Sequence, residues 1–112
     1  MDKYPVQVTE TLLEEITRKI VDRFDPEKIV LFGSRSIGSP RTDSDVDLLV
    51  IMDTSESPIQ RAIEVKRASR PRFVSMDVLV KTPHEVQTRL ERGSFFLRQI
   101  LEHGKVLYER EP

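Results

Sequence analysis

Residues 29–50 limit the folds open to this chain more than any other segment. The apolar run Ile29–Phe32 ends at the dipeptide Gly33-Ser34, and a polar stretch then leads to Asp45 and Asp47 at the start of a second apolar run. Short apolar runs bounded by Gly, Ser and Pro are typical of buried strands. The segment therefore predicts two strands joined by a polar connection, with carboxylates where the second strand begins.

The spacing of Asp45 and Asp47 indicates a metal site. Residues two apart in a strand project from the same face, so these two carboxylates are expected to lie side by side. Two like charges at close range repel, and a bound cation removes that penalty. Magnesium binds hard oxygen ligands, usually one or two carboxylates together with substrate phosphates. Taken alone, the motif would also suit a solvated strand edge.

A third carboxylate, Asp77, interrupts the strand-like run Phe73–Val80. A buried and unpaired carboxylate is costly, so we interpret Asp77 as pairing with a cation beside Asp45 and Asp47. Three carboxylates suffice for two metal ions, which can clamp the attacking and leaving oxygens of an in-line displacement. The three acids are accordingly predicted to be both the metal ligands and the catalytic residues.

The Gly33-Ser34 turn is predicted to bind phosphate. Glycine allows a tight turn and a close approach of the backbone to a ligand. Ser34 offers a hydroxyl and an N–H to phosphate oxygens, and Arg35 follows as a cation suited to neutralise a triphosphate. A Gly-Ser pair alone indicates only a turn, but here it precedes three acids in a fixed order.

The rest of the chain alternates helical and strand-like patterns, which predicts an α/β (α+β) fold with a mixed sheet and helices packed on it. The predicted helices cover residues 9–24, 57–69, 82–93 and 94–103. The predicted strands cover residues 28–32, 46–52, 72–81 and, as a short edge strand, 105–109.

Composition narrows the function classes. The chain has 112 residues, no cysteine and a net charge of −1 with 33% charged residues. These values predict one domain over 1–112, exclude a thiolate nucleophile and argue against a protein that coats nucleic acid. We see no signal sequence and no apolar run of membrane-spanning length, so the cytoplasm is expected. A chain this small favours partners, including a homo-oligomer.

Two further features have structural interpretations. The basic segment from Arg61 to Arg72 is interpreted as a solvated helix face, with contact to RNA or an acidic partner as the functional alternative. Phe95 and Phe96 are predicted to lie in the core, with an apolar interface patch as the alternative.

The order Gly33-Ser34, Asp45-x-Asp47 and a later Asp77 resembles the nucleotidyltransferase superfamily of DNA polymerase beta. The match is greatest with its minimal nucleotidyltransferase (MNT) group of small prokaryotic proteins. The resemblance implies a polymerase-beta-like palm core, with Asp45, Asp47 and Asp77 holding two Mg²⁺ ions, or Mn²⁺ in their place. It implies that Gly33 and Ser34 hold the β- and γ-phosphates of ATP or another NTP.

The resemblance also implies a partner. Minimal relatives are commonly paired with a small helical HEPN protein in a toxin–antitoxin system. The chain is thus expected to be the antitoxin, moving AMP from ATP to a hydroxyl, such as that of a tyrosine, on the toxin. Two alternatives stay open, namely a non-catalytic module that neutralises its partner by occlusion and a small-molecule nucleotidyltransferase.

Overall fold

A computed structural model describes residues 8–33 and 46–111, and within these ranges the chain forms four helices and four strands. In chain order the elements are α1 (Glu10–Phe24), β1 (Lys28–Phe32), β2 (Val46–Ile51), α2 (Pro58–Ser69), β3 (Met76–Lys81), α3 (Pro83–Glu91), α4 (Phe95–His103) and β4 (Lys105–Glu109). In these ranges no helix combines the length and the apolar character that crossing a bilayer requires.

The strands form one mixed sheet in the order β3-β2-β1-β4. Strand β1 is antiparallel to both β2 and β4, whereas β2 and β3 are parallel and α2 is the crossover between them. The end of β1 and the starts of β2, β3 and β4 therefore lie at the same end of the sheet. The predicted mixed sheet and α+β class are confirmed.

Helices cover both faces of the sheet because β1 and β2 are apolar on both. On one face, α1 and α2 pack over alternate residues of β2, including Leu48 and Val50. On the other face, α3 and α4 pack over Leu49 and Ile51. Strand β2 is thus nearly inaccessible to solvent, apart from one half-buried residue, Asp47.

The third strand begins later than the sequence predicts. The segment 72–75 is not extended, since Phe73 has a left-handed φ of 65° and the Val74 N–H donates to the Pro71 carbonyl at 3.4 Å. A bulky residue with positive φ is uncommon and closes a turn here. The predicted strand 72–81 is therefore shortened to β3.

Arg61 joins three elements and corrects the view of the basic segment as a solvated face. Its side chain is only 6% exposed and forms a two-pronged ion pair with Glu85, at 2.7 and 3.2 Å. It also donates to the carbonyls of Glu56 and Val80. Glu85 in turn completes the capping box of α3 with Thr82. One guanidinium therefore fixes α2 to the start of α3 across the end of β3.

Replacing Arg61 by Met should lower the free energy of unfolding by about 2 kcal/mol, because removing one partner of a buried pair leaves the other uncompensated. The value lies below the usual range since Glu85 keeps some contact with solvent. Urea unfolding checks it. Arg67→Met on the same helix is the control, expected within about 0.5 kcal/mol of wild type because Arg67 is exposed. Equal losses in the two variants would contradict the role of the ion pair.

Lowering the pH should remove the contribution of Glu85 to the stability of the folded state. The hydrogen bond from Arg61 lowers the pKa of Glu85 from 4.5 to about 2. Because this pKa is depressed in the folded state, the stabilisation is complete above pH 4.5 and is lost as the pH falls toward 2. The stability gap between wild type and Glu85→Gln, measured by urea unfolding, should therefore narrow across that window. A gap that is constant from pH 7 to pH 2.5 would show that the Glu85 charge contributes nothing.

Candidate functional site

Two carboxylates lie side by side at the end of the sheet where β2 and β3 begin. Asp47 and Asp77, the second residues of their strands, are directly opposite each other in the parallel register. Side chains alternate along a strand, and the next residues on the same face, Leu49 and Leu79, lie in the layer under α3 and α4. Both acids therefore project from that face of the sheet, and we call them the acid pair.

Gly33 lies against one member of this pair, Asp47. It follows Phe32, which is opposite Asp47 on β1, and it has a left-handed φ of 82°. A Cβ placed on Gly33 would lie 2.6 Å from Oδ2 of Asp47, closer than real atoms approach. Only glycine fits both the backbone conformation and the space, so the backbone at Gly33 lies directly against the Asp47 carboxylate.

The structure thus brings together three of the predicted site residues, Gly33, Asp47 and Asp77. The others, Asp45, Ser34 and Arg35, lie outside the described residues. Within residues 8–33 and 46–111, no cluster of three potential metal-ligating side chains is present. The assignment of Asp45 as a third ligand stays a prediction from its spacing to Asp47.

Asp77 is not buried, which corrects one premise of the sequence analysis. Its side chain is exposed, because β3 is an edge strand whose outer residues are only partly covered. Among the described residues it forms no hydrogen bond or ion pair. Desolvation is therefore not what demands a partner for Asp77. The reason to expect a cation at Asp77 is instead its position opposite Asp47 on the neighbouring strand.

The acid pair fits a hard divalent cation. Two carboxylates opposite each other on adjacent strands are mutually destabilising, and a cation between them converts that repulsion into attraction. Their oxygens are the donors that magnesium and manganese prefer. Asp47 is held by the packing of the central strand and Asp77 faces solvent, so a ligand can approach from the open side.

Phe95 and Phe96 are exposed, so the prediction that they are core residues is wrong. Phe96 lies near the acid pair through Phe32, the residue opposite Asp47 on β1. The ring of Phe32 meets that of Phe96 edge-on, with centroids 6.0 Å apart and planes at 89°. Phe96 is 56% exposed and its neighbour Phe95 71%, because α4 turns Leu97 and Ile100 inward instead. No spacing signal in the sequence links Phe32 to Phe96, so neither residue was predicted to lie near the site.

Comparison with known proteins identifies the family. The sequence model of the family described as "Polymerase beta, Nucleotidyltransferase" matches residues 14–112. The chain belongs to this nucleotidyltransferase family. No curated protein matches the chain. The resemblance seen in the sequence is thereby confirmed at the level of the family.

Solved structures share the fold of this nucleotidyltransferase. A candidate nucleotidyltransferase from Sulfolobus solfataricus is 21% identical, with a TM-score of 0.61 over 89% of this chain and 79% of its own. A variant of the toxin–antitoxin MntA–HpeT is 24% identical, with a TM-score of 0.57 over 94% and 76%. A toxin–antitoxin with AMP-PNP is 23% identical, with a TM-score of 0.54 over 88% and 74%.

Gly33→Ala should weaken divalent-cation binding because the new methyl group must displace the Asp47 carboxylate. Disturbing the support of a metal ligand typically costs 10- to 100-fold in affinity, so we expect a loss of roughly tenfold. Mn²⁺ binding followed by electron paramagnetic resonance measures it.

Gly93→Ala is the matched control for this substitution. Gly93 has nearly the same φ, 85°, but a Cβ there meets nothing within 4 Å. Both variants share a backbone penalty of about 1 kcal/mol, whereas only the Gly33 variant should lose cation affinity. Unchanged Mn²⁺ affinity in a folded Gly33→Ala protein would separate this turn from the metal site.

Proposed function

We propose that the chain is a Mg²⁺-dependent nucleotidyltransferase that moves AMP from ATP to an acceptor hydroxyl. Residues 1–112 act as one minimal domain, in which Asp45, Asp47 and Asp77 hold the metal ions and Gly33, Ser34 and Arg35 hold the phosphates. The observation that carries the proposal is the acid pair on adjacent strands with Gly33 packed against one of its carboxylates. Membership of the nucleotidyltransferase family supports it.

In the proposed reaction the acceptor oxygen forms a bond to the α-phosphorus of ATP. The bond between that phosphorus and the oxygen that bridges the α- and β-phosphates breaks. The acceptor proton passes to the carboxylate of Asp77, which is open to solvent, and pyrophosphate leaves. Asp47 is fixed by the buried strand around it and so gives the site a rigid reference point. When bound, the metal ions supply charge neutralisation between these carboxylates and the triphosphate.

The turn at Gly33 is proposed to receive the leaving phosphates. Gly33 lies against the Asp47 carboxylate, so a triphosphate held there would share that carboxylate's immediate surroundings. Backbone N–H groups and Arg side chains are suited to phosphate oxygens. Positioning and charge stabilisation of this kind account for most of the catalysis in phosphoryl-type transfer.

The acceptor is proposed to be a hydroxyl, such as that of a tyrosine, on a small helical HEPN partner toxin in the cytoplasm. Structures of similar fold are described as the toxin–antitoxin MntA–HpeT and as a toxin–antitoxin with AMP-PNP. The rings of Phe95 and Phe96 are exposed and suit contact with a protein, and Phe96 packs on Phe32, the residue opposite Asp47 on β1. A partner seated there would bring its hydroxyl close to the proposed metal site.

The same rings favour a second candidate function, neutralisation of the partner by occlusion alone. An exposed aromatic patch is typical of a binding surface and does not require chemistry. In that case the acid pair would at most bind nucleotide. The two functions differ in whether neutralisation depends on the carboxylates.

Asp47→Asn should abolish transfer without unfolding the chain. We expect a loss of roughly a hundredfold or more, the scale of removing one charge-stabilising group. The fold should survive, because the substitution leaves the apolar residues of β2 and their packing unchanged. Transfer of label from α-labelled ATP into a co-purified partner, together with a thermal melt, measures both quantities.

Asp53→Asn is the matched control, since Asp53 is an exposed acid just beyond the other end of β2. It should transfer as wild type does. Full transfer by a folded Asp47→Asn protein would refute the site assignment. Loss of transfer with undiminished neutralisation of the partner would favour occlusion instead.

A further inference from the structure

A second charged surface lies on the opposite side of edge strand β3 from the acid pair. The end of α2 and the start of β3 line an open groove with a volume of about 400 Å³. We call it the basic groove, and its lining residues are Ile63, Lys66, Arg67, Arg70, Ser75 and Met76. Met76 faces the layer under α1 and α2, whereas its neighbour Asp77 faces the other way.

The cations of the basic groove are not engaged in ion pairs within the described part of the fold. Lys66, Arg67 and Arg70 form no ion pair with any carboxylate in the described part of the chain. Arg70 donates one hydrogen bond, to the Val74 carbonyl at 3.2 Å. Arg61 on the same helix shows the contrast, because it is buried and fully paired. Three cations therefore remain available for an external anion.

An aromatic turn connects two lining residues of the groove. Between Arg70 and Ser75, the guanidinium of Arg72 lies 5.2 Å from the ring centroid of Phe73. That ring is 43% exposed, on a residue held with a positive φ of 65°. A bulky side chain that is exposed adds little to the packing of the core, yet its backbone is strained. This combination is a reason to look for a role of Phe73 at the surface.

We propose that the basic groove binds single-stranded nucleic acid. Unpaired cations along a groove suit successive phosphates, and an exposed ring with a stacked Arg offers a platform for a base. An acidic protein segment would satisfy the cations, but it would have no use for the Arg72–Phe73 stack. The net charge of the chain is only −1, so the attraction is local to this groove. The site uses neither Asp47 nor Asp77 and is independent of the proposed transfer reaction.

The test is fluorescence anisotropy with a labelled single-stranded RNA of about 12 nucleotides, within the usual range of site sizes. For three phosphate contacts on a single strand, the logarithm of the binding constant should fall with the logarithm of the salt concentration with a slope near −2. Raising the salt from about 50 to about 200 mM should therefore weaken binding roughly twentyfold. The combined variant Lys66→Gln/Arg67→Gln/Arg70→Gln should lose this salt dependence and most of the affinity.

A control variant separates the groove from net charge. Arg18→Gln/Lys19→Gln/Arg98→Gln removes three exposed cations elsewhere and should keep both affinity and salt slope. Phe73→Leu should lower affinity about fivefold or more by removing the stacking surface. Circular dichroism confirms that each variant is folded.

Several results would overturn the proposal. The first is that wild type does not bind the RNA at about 100 μM protein. The second is that the groove variant and the control variant lose equal affinity. The third is that a poly-glutamate peptide of matched charge binds as tightly as the RNA, which would assign the groove to an acidic protein. Asp47→Asn should bind the RNA as wild type does, so failure of the transfer reaction and failure of this proposal are distinguishable.

Discussion

The burial of β2 holds Asp47 opposite Asp77, and the rest of the site depends on that constraint. Strand β2 is covered on both faces, so its register with β3 is fixed by apolar contacts on each side. A slip by one residue would turn Asp47 into the layer under α1 and α2 and expose Leu48. The cost of that exchange far exceeds the repulsion of two surface-facing carboxylates, and the acids therefore stay together.

Most of the fold could be predicted because its signals are local. Ser57, Thr82 and Ser94 cap the helices that follow them, and the apolar runs at β1 and β2 are buried as expected. Asp47 was predicted from its spacing to Asp45 and Asp77 from its position in an apolar run, and the sheet brings the two together. Their proximity was an expectation from two separate strands, and the parallel register places them opposite each other.

The errors arose where tertiary position decides the outcome. The burial of Asp77 was inferred from its apolar neighbours, but β3 is an edge strand, and an apolar run alone does not reveal that. Arg61 was grouped with the solvated cations although it lies four residues before Val65, on the buried stripe of α2. Phe95 and Phe96 were assigned to the core because they are large and apolar, whereas the inward face of α4 was already filled by Leu97 and Ile100.

The difference in exposure between the two acids has a chemical consequence. Asp47 lies on a strand that cannot shift without breaking two apolar layers, whereas Asp77 lies on an edge strand with solvent beside it. A ligand entering from the open edge can therefore meet one carboxylate fixed by packing and another that is free to adjust. Fixing one oxygen donor reduces the entropy lost on binding, and leaving the other adjustable allows ligands of different size. The same edge strand separates the acid pair from the basic groove, so anionic and cationic ligands can be held a few residues apart without their sites neutralising each other.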